Sequence, residues 1–270
     1  ERLARMMTRY DERSVVSAIH RAAGLHAVAV PPEMMAVLRD AQALSAATQG
    51  AFDMTVGALR AWRFGDQQDL PDPAEIAAER RLVGYRGLIL DANAGTARLA
   101  RSGMAIDLGG IAKLPILAAG MQVLHAHGLA DALLNGGGDV LVAGSQQGRP
   151  WRVGLRDPLA PERMLGVLAL KGSHIVASSG DYERFFMAQG ERQHHILDPA
   201  TGRPTRGPHG ISLLATDASS VNGLGTAMMV LGGERAQALV QKRASVQALM
   251  MNHDGSLWRT PGMAELLQTA

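Results

Sequence analysis

Residues 132–143 read ALLNGGGDVLVA, two short apolar runs separated by three glycines and an acidic residue. Short apolar runs bounded by turn residues are typical of β-strands. Glycine adopts the backbone angles that a tight chain reversal needs, so we predict strands at 132–134 and 140–143 with a turn between them. Asp139 is expected only to hydrogen-bond that turn.

The same pattern of short runs between glycine turns extends through the chain from Tyr85 onward. It predicts further strands at 88–91, 105–108, 151–155, 167–170, 174–178 and 211–215. Helices are predicted at 116–126, 219–231 and 234–242. Strand runs mixed with helix runs favour an α+β fold with a largely antiparallel sheet over a regular alternation of strand and helix.

The residues before 85 have a helical pattern instead. Apolar residues recur with a helical period at Met34, Leu38, Ala41 and Leu44. The pattern predicts helices at 11–22, 32–48 and 74–82. Prolines at 31 and 32 mark the start of the second helix, and the glycine at 50 marks its end. The polar stretch 65–73 is predicted to be a surface loop.

The composition of the 270-residue chain excludes several classes of protein. With 47% hydrophobic and 19% charged residues, the chain is expected to be ordered and globular. A formal net charge of +2, 4% aromatic residues and no run of four basic residues argue against nucleic-acid binding. The absence of cysteine excludes disulfides, thiolate zinc sites and cysteine nucleophiles. No apolar run approaches the roughly 18 residues of a membrane-spanning helix.

Glycine is in excess, at 31 residues, and several glycines lie beside polar groups. In DLGGIAK (107–113), a Gly-Gly turn before a helix would expose backbone amides where phosphate binds, and Lys113 adds a cation. Glycine turns also occur without a ligand, so this segment alone leaves both readings open. GAFDMTVG (50–57) has a simpler reading, a helix C-cap followed by a Phe directed into the core.

The run HHILDPATG (194–202) combines histidines with a polar turn. Adjacent histidines on a strand point to opposite faces, so only one of His194 and His195 can serve a given site. With Asp198 and Thr201 in the following turn, that histidine is a candidate general base or ligand-orienting group. No second histidine cluster supports a zinc site.

Taken in order along the chain, these segments resemble the ApbE family, the FAD:protein FMN transferases. Eight runs carry the resemblance and cover nearly the whole chain: RYDERSVVS (9–17), GAFDMTVGAL (50–59), DLGGIAK (107–113), LLNGGGDV (133–140), PWRVGLRDP (150–158), SGDYERFF (179–186), HHILDPATGRP (194–204) and GTAMMVLG (225–232). Each run is a weak signal alone, whereas eight in the family's order make a specific one.

The resemblance implies an ApbE-like, T-fold-related α+β fold. It would be a mostly antiparallel sheet with packed helices in a single compact unit over residues 1–270, helical to about residue 84 and sheet-rich afterwards. The resemblance also implies an enzyme that binds FAD, splits its pyrophosphate with Mg²⁺ and attaches FMN to a Thr or Ser of a target flavoprotein. Such enzymes lie in the cell envelope, on the periplasmic side of the inner membrane and often as lipoproteins. A lipid anchor would precede Glu1, where this chain begins.

The resemblance also assigns roles residue by residue. Seven positions are assigned to the FAD site: Tyr10, Ala51, Phe52, Asp53, Asp107, Lys113 and Thr201. His195 matches the histidine that helps to activate the acceptor hydroxyl. The carbonyl of Gly110 and the side chains of Asn222 and Thr226 fall on metal-ligand positions. Because Asn222 and Thr226 are four residues apart, their side chains would share one face of a helix.

Three positions depart from the family pattern. Asn222 stands where Asp is usual, Leu114-Pro115 where Gly-Tyr follows the lysine, and His20 where Asn is usual. An amide oxygen ligates magnesium but brings no negative charge. A second hypothesis is therefore an FAD-binding protein with weakened or lost metal-dependent hydrolysis and transfer. A third is a structural or partner-binding domain without flavin, which differs in that the purified protein would not take up FAD.

Overall fold

The computed structural model describes residues 1–65 and 69–269, in which helices and strands follow one another in irregular order. The helices are α1 (Arg2–Met7), α2 (Val15–Arg21), α3 (Pro32–Ala47), α4 (Pro73–Arg80), α5 (Lys113–Ala126), α6 (Leu224–Leu231), α7 (Gly233–Gln241) and α8 (Pro261–Leu266). Short 3-10 turns occur at Met54–Ala58, Tyr85–Gly87 and Ala218–Ser220.

Fourteen strands are present in the described residues. They are β1 (Val28–Ala29), β2 (Leu88–Asp91), β3 (Thr96–Leu99), β4 (Ala132–Gly136), β5 (Asp139–Ala143), β6 (Trp151–Arg156), β7 (Met164–Leu170), β8 (His174–Gly180), β9 (Phe185–Ala188), β10 (Glu191–His194), β11 (Gly210–Ala215), β12 (Gln247–Met251), β13 (Leu257–Arg259) and β14 (Leu267–Gln268). All strand pairs in the described part of the chain are antiparallel, which confirms the predicted α+β class.

The residues group into two compact units. Glu1–Ala112 with Phe185–Thr205 form the first, and Lys113–Arg184 with Arg206–Ala270 form the second. The first unit contains α1 to α4, a three-stranded sheet in the order β1-β3-β2 and the β9–β10 hairpin. One of its cores joins a late strand to early elements, because Phe186 packs with Leu59, Trp62 and Ile76.

The second unit is built on a six-stranded sheet in the order β13-β12-β11-β8-β5-β4, with a separate three-stranded sheet in the order β14-β7-β6. Alternate residues of β5, β6 and β7 are buried together in one apolar core: Val140, Val142, Val153, Leu155, Leu168 and Leu170. The predicted β4–β5 turn is confirmed. Gly137 and Gly138 form it with φ of +64° and +88°, angles that side chains other than hydrogen rarely allow.

The helix starts follow local chemistry. Pro32 occupies the first position of α3, where its missing N–H leaves no intrahelical bond unmade. The helix predicted at 11–22 begins later, at Val15, because Ser14 is its N-cap and accepts a hydrogen bond from the Ser17 N–H at 3.0 Å. α5 begins at Lys113, three residues before the predicted start. It tolerates Pro115 because that residue lies in the first turn.

The strand predicted at 105–108 is wrong. Residues 104–108 have no regular secondary structure, and they pair in no ladder with the strands that the structure describes. Nε2 of His20 lies 3.0 Å from both the backbone N and the backbone O of Ile106, and in either tautomer it bonds one of the two groups that a neighbouring strand would use. The next N–H, that of Asp107, donates to the Met54 carbonyl at 2.7 Å.

The helix predicted at 219–231 is also wrong over its first part. α6 begins only at Leu224, because Gly223 has a left-handed φ of +72° that ends the right-handed path before it. The other predicted strands and helices are confirmed with shifts of a few residues at their ends. Of the loop predicted at 65–73, residues 66–68 lie outside the described residues. No helix in the described ranges is long and apolar enough to cross a membrane.

Candidate functional site

Asp107 links two distant segments of the first unit. Its Oδ2 accepts a hydrogen bond from Nη1 of Arg9 at 2.9 Å, and its Oδ1 accepts one from the Gly109 N–H at 2.8 Å. Asp107 and Arg9 are each about one-third exposed. The carboxylate is therefore fixed in place beside the exposed Gly109–Gly110 turn while part of it still faces solvent.

His20 contacts the backbone of Ile106, the residue before Asp107. Burial of the ring lowers the pKa of His20 below its ordinary value. The ring is therefore neutral at neutral pH, and its Nε2 can accept the Ile106 N–H. Since Ile106 precedes Asp107, this departure from the family pattern acts on the position of a predicted FAD residue.

The Ala51-Phe52-Asp53 run lies against the same segment. Phe52 is buried, which confirms that its side chain is directed into the core. Asp53 is buried too, and its carboxylate accepts hydrogen bonds from the Thr55 N–H at 2.7 Å, the Thr55 hydroxyl at 2.6 Å and the Tyr85 N–H at 2.8 Å. Burial raises the pKa of Asp53, and these hydrogen bonds oppose that shift.

Tyr10 is the most exposed aromatic residue among the candidates, at 77%. The guanidinium of Arg9 lies 5.6 Å from the centre of its ring, within the range of a cation–π contact. Because Arg9 also holds Asp107, it joins the two predicted FAD residues into one group. Sequence reasoning missed Arg9, although it begins the RYDERSVVS run.

The histidines of the 194–202 run differ in environment, as predicted. His194 is buried and its Nε2 lies 2.8 Å from the Thr205 carbonyl oxygen, whereas the side chain of His195 is exposed. Asp198 organises the next turn, where its Oδ2 accepts a hydrogen bond from the Thr201 hydroxyl at 3.2 Å. His195 is thus the one of the two that a second molecule can reach.

This turn is anchored to the rest of the first unit at Gly202. The buried indole N–H of Trp62 donates to the Gly202 carbonyl at 2.7 Å, and Gly202 has a φ of +70°. A side chain at this position would also press on Ile76, with a Cβ 3.0 Å from its Cγ2. Glycine is therefore required here by both backbone angle and space.

Lys113 lies in the second unit, at the start of α5. Its Nζ is 2.8 Å from Oδ2 of Asp139, the first residue of β5. Oδ1 of Asp139 accepts a hydrogen bond from the Ser178 N–H on β8 at 2.9 Å. The expectation that Asp139 only hydrogen-bonds its own turn is wrong, because its carboxylate reaches a neighbouring strand and the lysine.

The predicted metal ligands Asn222 and Thr226 flank the start of α6 in the second unit. Asn222 precedes the left-handed Gly223, so the expectation that the two side chains share one helix face is wrong. Both residues are half-buried, and their side-chain oxygens form no hydrogen bond within the described part of the chain. Gly110, whose carbonyl is the third predicted ligand, belongs to the first unit and is exposed.

The donor set suits magnesium in kind, since it consists of carbonyl, amide and hydroxyl oxygens. It brings no negative charge. No group of three or more His, Asp or Glu residues in the described ranges could hold a metal ion. A cation at Asn222 and Thr226 would therefore depend on charge supplied by its ligand.

The structure brings part of the predicted site together within the first unit. The Asp107 N–H bonds Met54, the residue after Asp53, so the AFD and DLGG runs are in contact. Tyr10 joins them through Arg9, and His195 and Thr201 share one loop. Lys113, Asn222 and Thr226 belong to the second unit. Sequence reasoning gave no binding or positioning role to Arg9, which pairs with Asp107, or to Asp139, which pairs with Lys113.

Comparison with known proteins identifies what this arrangement is similar to. Residues 1–250 match the model of the ApbE family. A protein of Treponema pallidum named FAD:protein FMN transferase is 32% identical over 269 residues, which cover 93% of this chain and 74% of that protein. One of the same name from Klebsiella pneumoniae is 32% identical, covering 93% of this chain and 81% of that protein.

Solved structures agree with these sequence relatives. The ApbE protein of Thermotoga maritima superposes with a TM-score of 0.90 at 33% identity, covering 98% of this chain and 87% of that one. The flavin transferase ApbE of Vibrio cholerae superposes with a TM-score of 0.84 at 27% identity, covering 98% of this chain and 86% of that one. The match in sequence, fold and motif order confirms the predicted resemblance, and this chain belongs to the ApbE family.

Proposed function

We propose that this chain is an FAD:protein FMN transferase, which moves the FMN half of FAD onto a target flavoprotein. The observation that carries the proposal is the group formed by Arg9, Asp107 and the exposed Gly109–Gly110 turn, in a chain of the ApbE family. The Gly109 N–H is bound to Asp107, whereas the exposed Gly110 N–H has no hydrogen-bond acceptor among the described residues. One open backbone N–H beside a fixed carboxylate suits a ligand that has both a diphosphate and hydrogen-bond donors.

The transfer step joins a Thr or Ser hydroxyl of the target to the phosphorus of the FMN half. The hydroxyl oxygen forms the new P–O bond, the bond from that phosphorus to the bridging oxygen breaks, and AMP leaves with the bonding pair. The proton of the hydroxyl passes to His195, whose exposed ring is accessible to a protein substrate. The resemblance assigns Lys113 to the FAD site, where its ammonium would counter charge on the diphosphate.

Magnesium fits this reaction as a bound cation. The side-chain oxygens of Asn222 and Thr226 in the second unit would hold it, and it would supply Lewis-acid neutralisation of the diphosphate. The two side-chain oxygens are available for that role, because neither has a hydrogen-bond partner in the described residues.

The proposed setting is the cell envelope, on the periplasmic side of the inner membrane. The proposed partner is a flavoprotein that presents the acceptor Thr or Ser on an accessible segment. Attachment to the membrane would come from a lipid anchor before Glu1, and fractionation of cells that express the full-length protein tests this part separately.

Mass spectrometry of the acceptor tests the activity. The chain is incubated with FAD, Mg²⁺ and an acceptor flavoprotein domain, and the intact mass of the acceptor is measured. We expect the gain of one FMN less one water, with AMP released in equal amount, and no gain on an acceptor whose Thr or Ser is changed to Ala. His195→Ala should abolish the gain while FAD still binds. Failure to form the adduct under conditions where the Vibrio cholerae enzyme forms it would reject the proposal.

A second candidate function rests on Asn222. Because its side chain is neutral and would bind a metal ion less tightly, the second candidate is a protein that holds FAD without turning it over. Calorimetric titration with FAD, with and without Mg²⁺, separates the two functions. Metal-independent binding without AMP release would support the FAD-binding protein, and steady AMP release would exclude it.

A further inference from the structure

Asp139 is a buried carboxylate with two different partners. Only 7% of its side chain is exposed. Its Oδ1 accepts the Ser178 N–H at 2.9 Å, and its Oδ2 lies 2.8 Å from Nζ of Lys113. A buried carboxylate is stable only when its charge is paired and its oxygens are hydrogen-bonded, and these two contacts meet both needs.

Lys113 is held on one side and open on the other. Its side chain is 40% exposed, and its Nζ also donates to the Gly137 carbonyl at 3.4 Å. Gly137 lies close along the lysine stem, since a Cβ on it would be 3.7 Å from Cδ of Lys113. The β4–β5 turn and Asp139 therefore fix the direction of a flexible side chain.

The ammonium is fixed at a place that already favours anions. Lys113 is the first residue of α5, and the N-terminal end of a 14-residue helix carries partial positive charge. A negative side chain there would itself be favourable, yet Asp139 is turned inward to the lysine and the Ser178 N–H. The exposed part of Lys113 thus presents its charge to solvent.

We propose that Asp139 is a positioning residue, which holds the ammonium of Lys113 ready for the diphosphate of FAD. This inference rests on the proposed function and adds to it a residue that does not touch the substrate. Asp139 acts through Lys113, while its second oxygen ties the lysine to the six-stranded sheet through Ser178.

The composition of the chain makes Lys113 easy to observe. Only three of its residues are lysines, and the other two, Lys171 and Lys242, are exposed. Among the described residues, neither of these two forms an ion pair. Amine acylation mapped by peptide mass spectrometry therefore reports on Lys113 with two internal references.

Asp139→Asn is the informative variant. An amide oxygen can still accept the Ser178 N–H, so the link between β5 and β8 is kept, but the charge facing Lys113 is lost. Asp139→Ala removes both contacts and serves as the reference for loss of the link between β5 and β8. Glu183→Gln is the matched control, because it removes the carboxylate of an exposed ion pair in the same unit, 3.4 Å from Arg156.

The first measurement needs no flavin. In Asp139→Asn we expect acylation of Lys113 to become about three- to tenfold faster relative to Lys171 and Lys242, because the amine is no longer held against a buried carboxylate and is more accessible to the reagent. Glu183→Gln should leave all three rates unchanged. An unchanged Lys113 rate in a folded Asp139→Asn protein would overturn the proposal.

The second measurement tests the phosphate-facing role in the wild-type chain. FAD and inorganic pyrophosphate should slow acylation of Lys113, and riboflavin, which lacks phosphate, should not. If neither FAD nor pyrophosphate protects Lys113, the proposal is overturned. Protection by pyrophosphate without FMN transfer to an acceptor would support the role of Asp139 and reject the proposed transferase function, so the two failures are distinguishable.

The third measurement separates positioning from a purely structural role. Asp139→Asn should raise the Kd for FAD about fivefold in the wild-type background and have no effect in a Lys113→Met background, because its action passes through the lysine. An equal loss in both backgrounds would show that Asp139 acts only on the fold. Tighter FAD binding in Asp139→Asn would show that the carboxylate competes with phosphate, which also contradicts the proposal.

Discussion

Gly57 tests how closely two backbone segments must approach beside Asp107. It lies in the 3-10 turn Met54–Ala58, and a Cβ on it would be 2.5 Å from the carbonyl carbon of Ile106 and 2.7 Å from its oxygen. The same Cβ would be 2.8 Å from the Asp107 nitrogen. These neighbours are main-chain atoms, so no side-chain rotation can relieve the overlap.

The size of the effect follows from these distances. Non-bonded carbon atoms rest about 3.5–4.0 Å apart, so Gly57→Ala must move one of the segments by about 1 Å. Overpacking of this kind lowers the free energy of unfolding by about 1–3 kcal/mol. The displaced segment carries Asp107, and a shift of about 1 Å at a binding group can lower a rate by about 100-fold.

The assay compares two Gly→Ala variants by urea unfolding, by calorimetric titration with FAD and by FMN transfer. In Gly120→Ala, the added Cβ lies 3.2 Å from a Leu134 methyl group, which can rotate away. Because Gly120 is inside α5, alanine there should leave the free energy of unfolding unchanged or raise it by up to about 1 kcal/mol. Gly57→Ala should instead lower the free energy of unfolding, and it should weaken the affinity for FAD.

One result would refute this reasoning. If Gly57→Ala has the same urea midpoint and the same FAD affinity as Gly120→Ala, the turn and the Ile106–Asp107 backbone are not in the close contact described. Asp107 would then owe its position to other contacts.

Three other changes have defined outcomes. Asn222→Asp adds a carboxylate at the proposed metal position and should raise Mg²⁺-dependent AMP release from FAD severalfold; an unchanged rate would count against a metal there. Because burial lowers the pKa of His20, the unfolded chain binds more protons at this residue, and the free energy of unfolding should fall as the pH drops below about 6.5. His20→Gln should reduce that slope in urea titrations, and an identical slope would contradict the assignment. Trp62→Phe leaves the buried Gly202 carbonyl without its donor and should lower the free energy of unfolding by about 1–3 kcal/mol, measured in the same titrations.

Much of the fold was predictable because glycines mark its turns in the sequence. The β4–β5 hairpin has apolar strands around a turn that only glycines make easily, and local pattern suffices to find it. β12 was missed because all but its first residue are buried, so it shows no alternation of polar and apolar residues. The segment at 104–108 has a strand-like sequence, but its backbone groups contact His20 and Met54, which are far away in the sequence, instead of a neighbouring strand.

The sequence was sufficient to predict which residues belong to the candidate site, but not which side chains contact one another there. The resemblance located Asp107 and Lys113, but their partners lie far away in the sequence: Arg9 precedes Asp107 by 98 residues. No spacing rule connects such residues, because their contact is created by tertiary packing. The same holds for Asp139, whose place beside a glycine turn suggested a local role that the structure contradicts.

Phe185–Thr205 belongs to the first unit although it is synthesised after Lys113–Arg184 of the second, and this order affects folding during translation. Phe186 is part of the core around Trp62, and the Gly202 carbonyl is the acceptor of the Trp62 indole N–H. A ribosome adds about 5–20 residues each second, so roughly 5–20 s separate synthesis of Ala112 from that of Thr205. During that interval the early segment carries an apolar surface without its partner. In a nascent chain stalled before residue 185, the first unit should therefore be bound by chaperones and cut readily by proteases. Once residue 205 has left the ribosome, that unit should resist both.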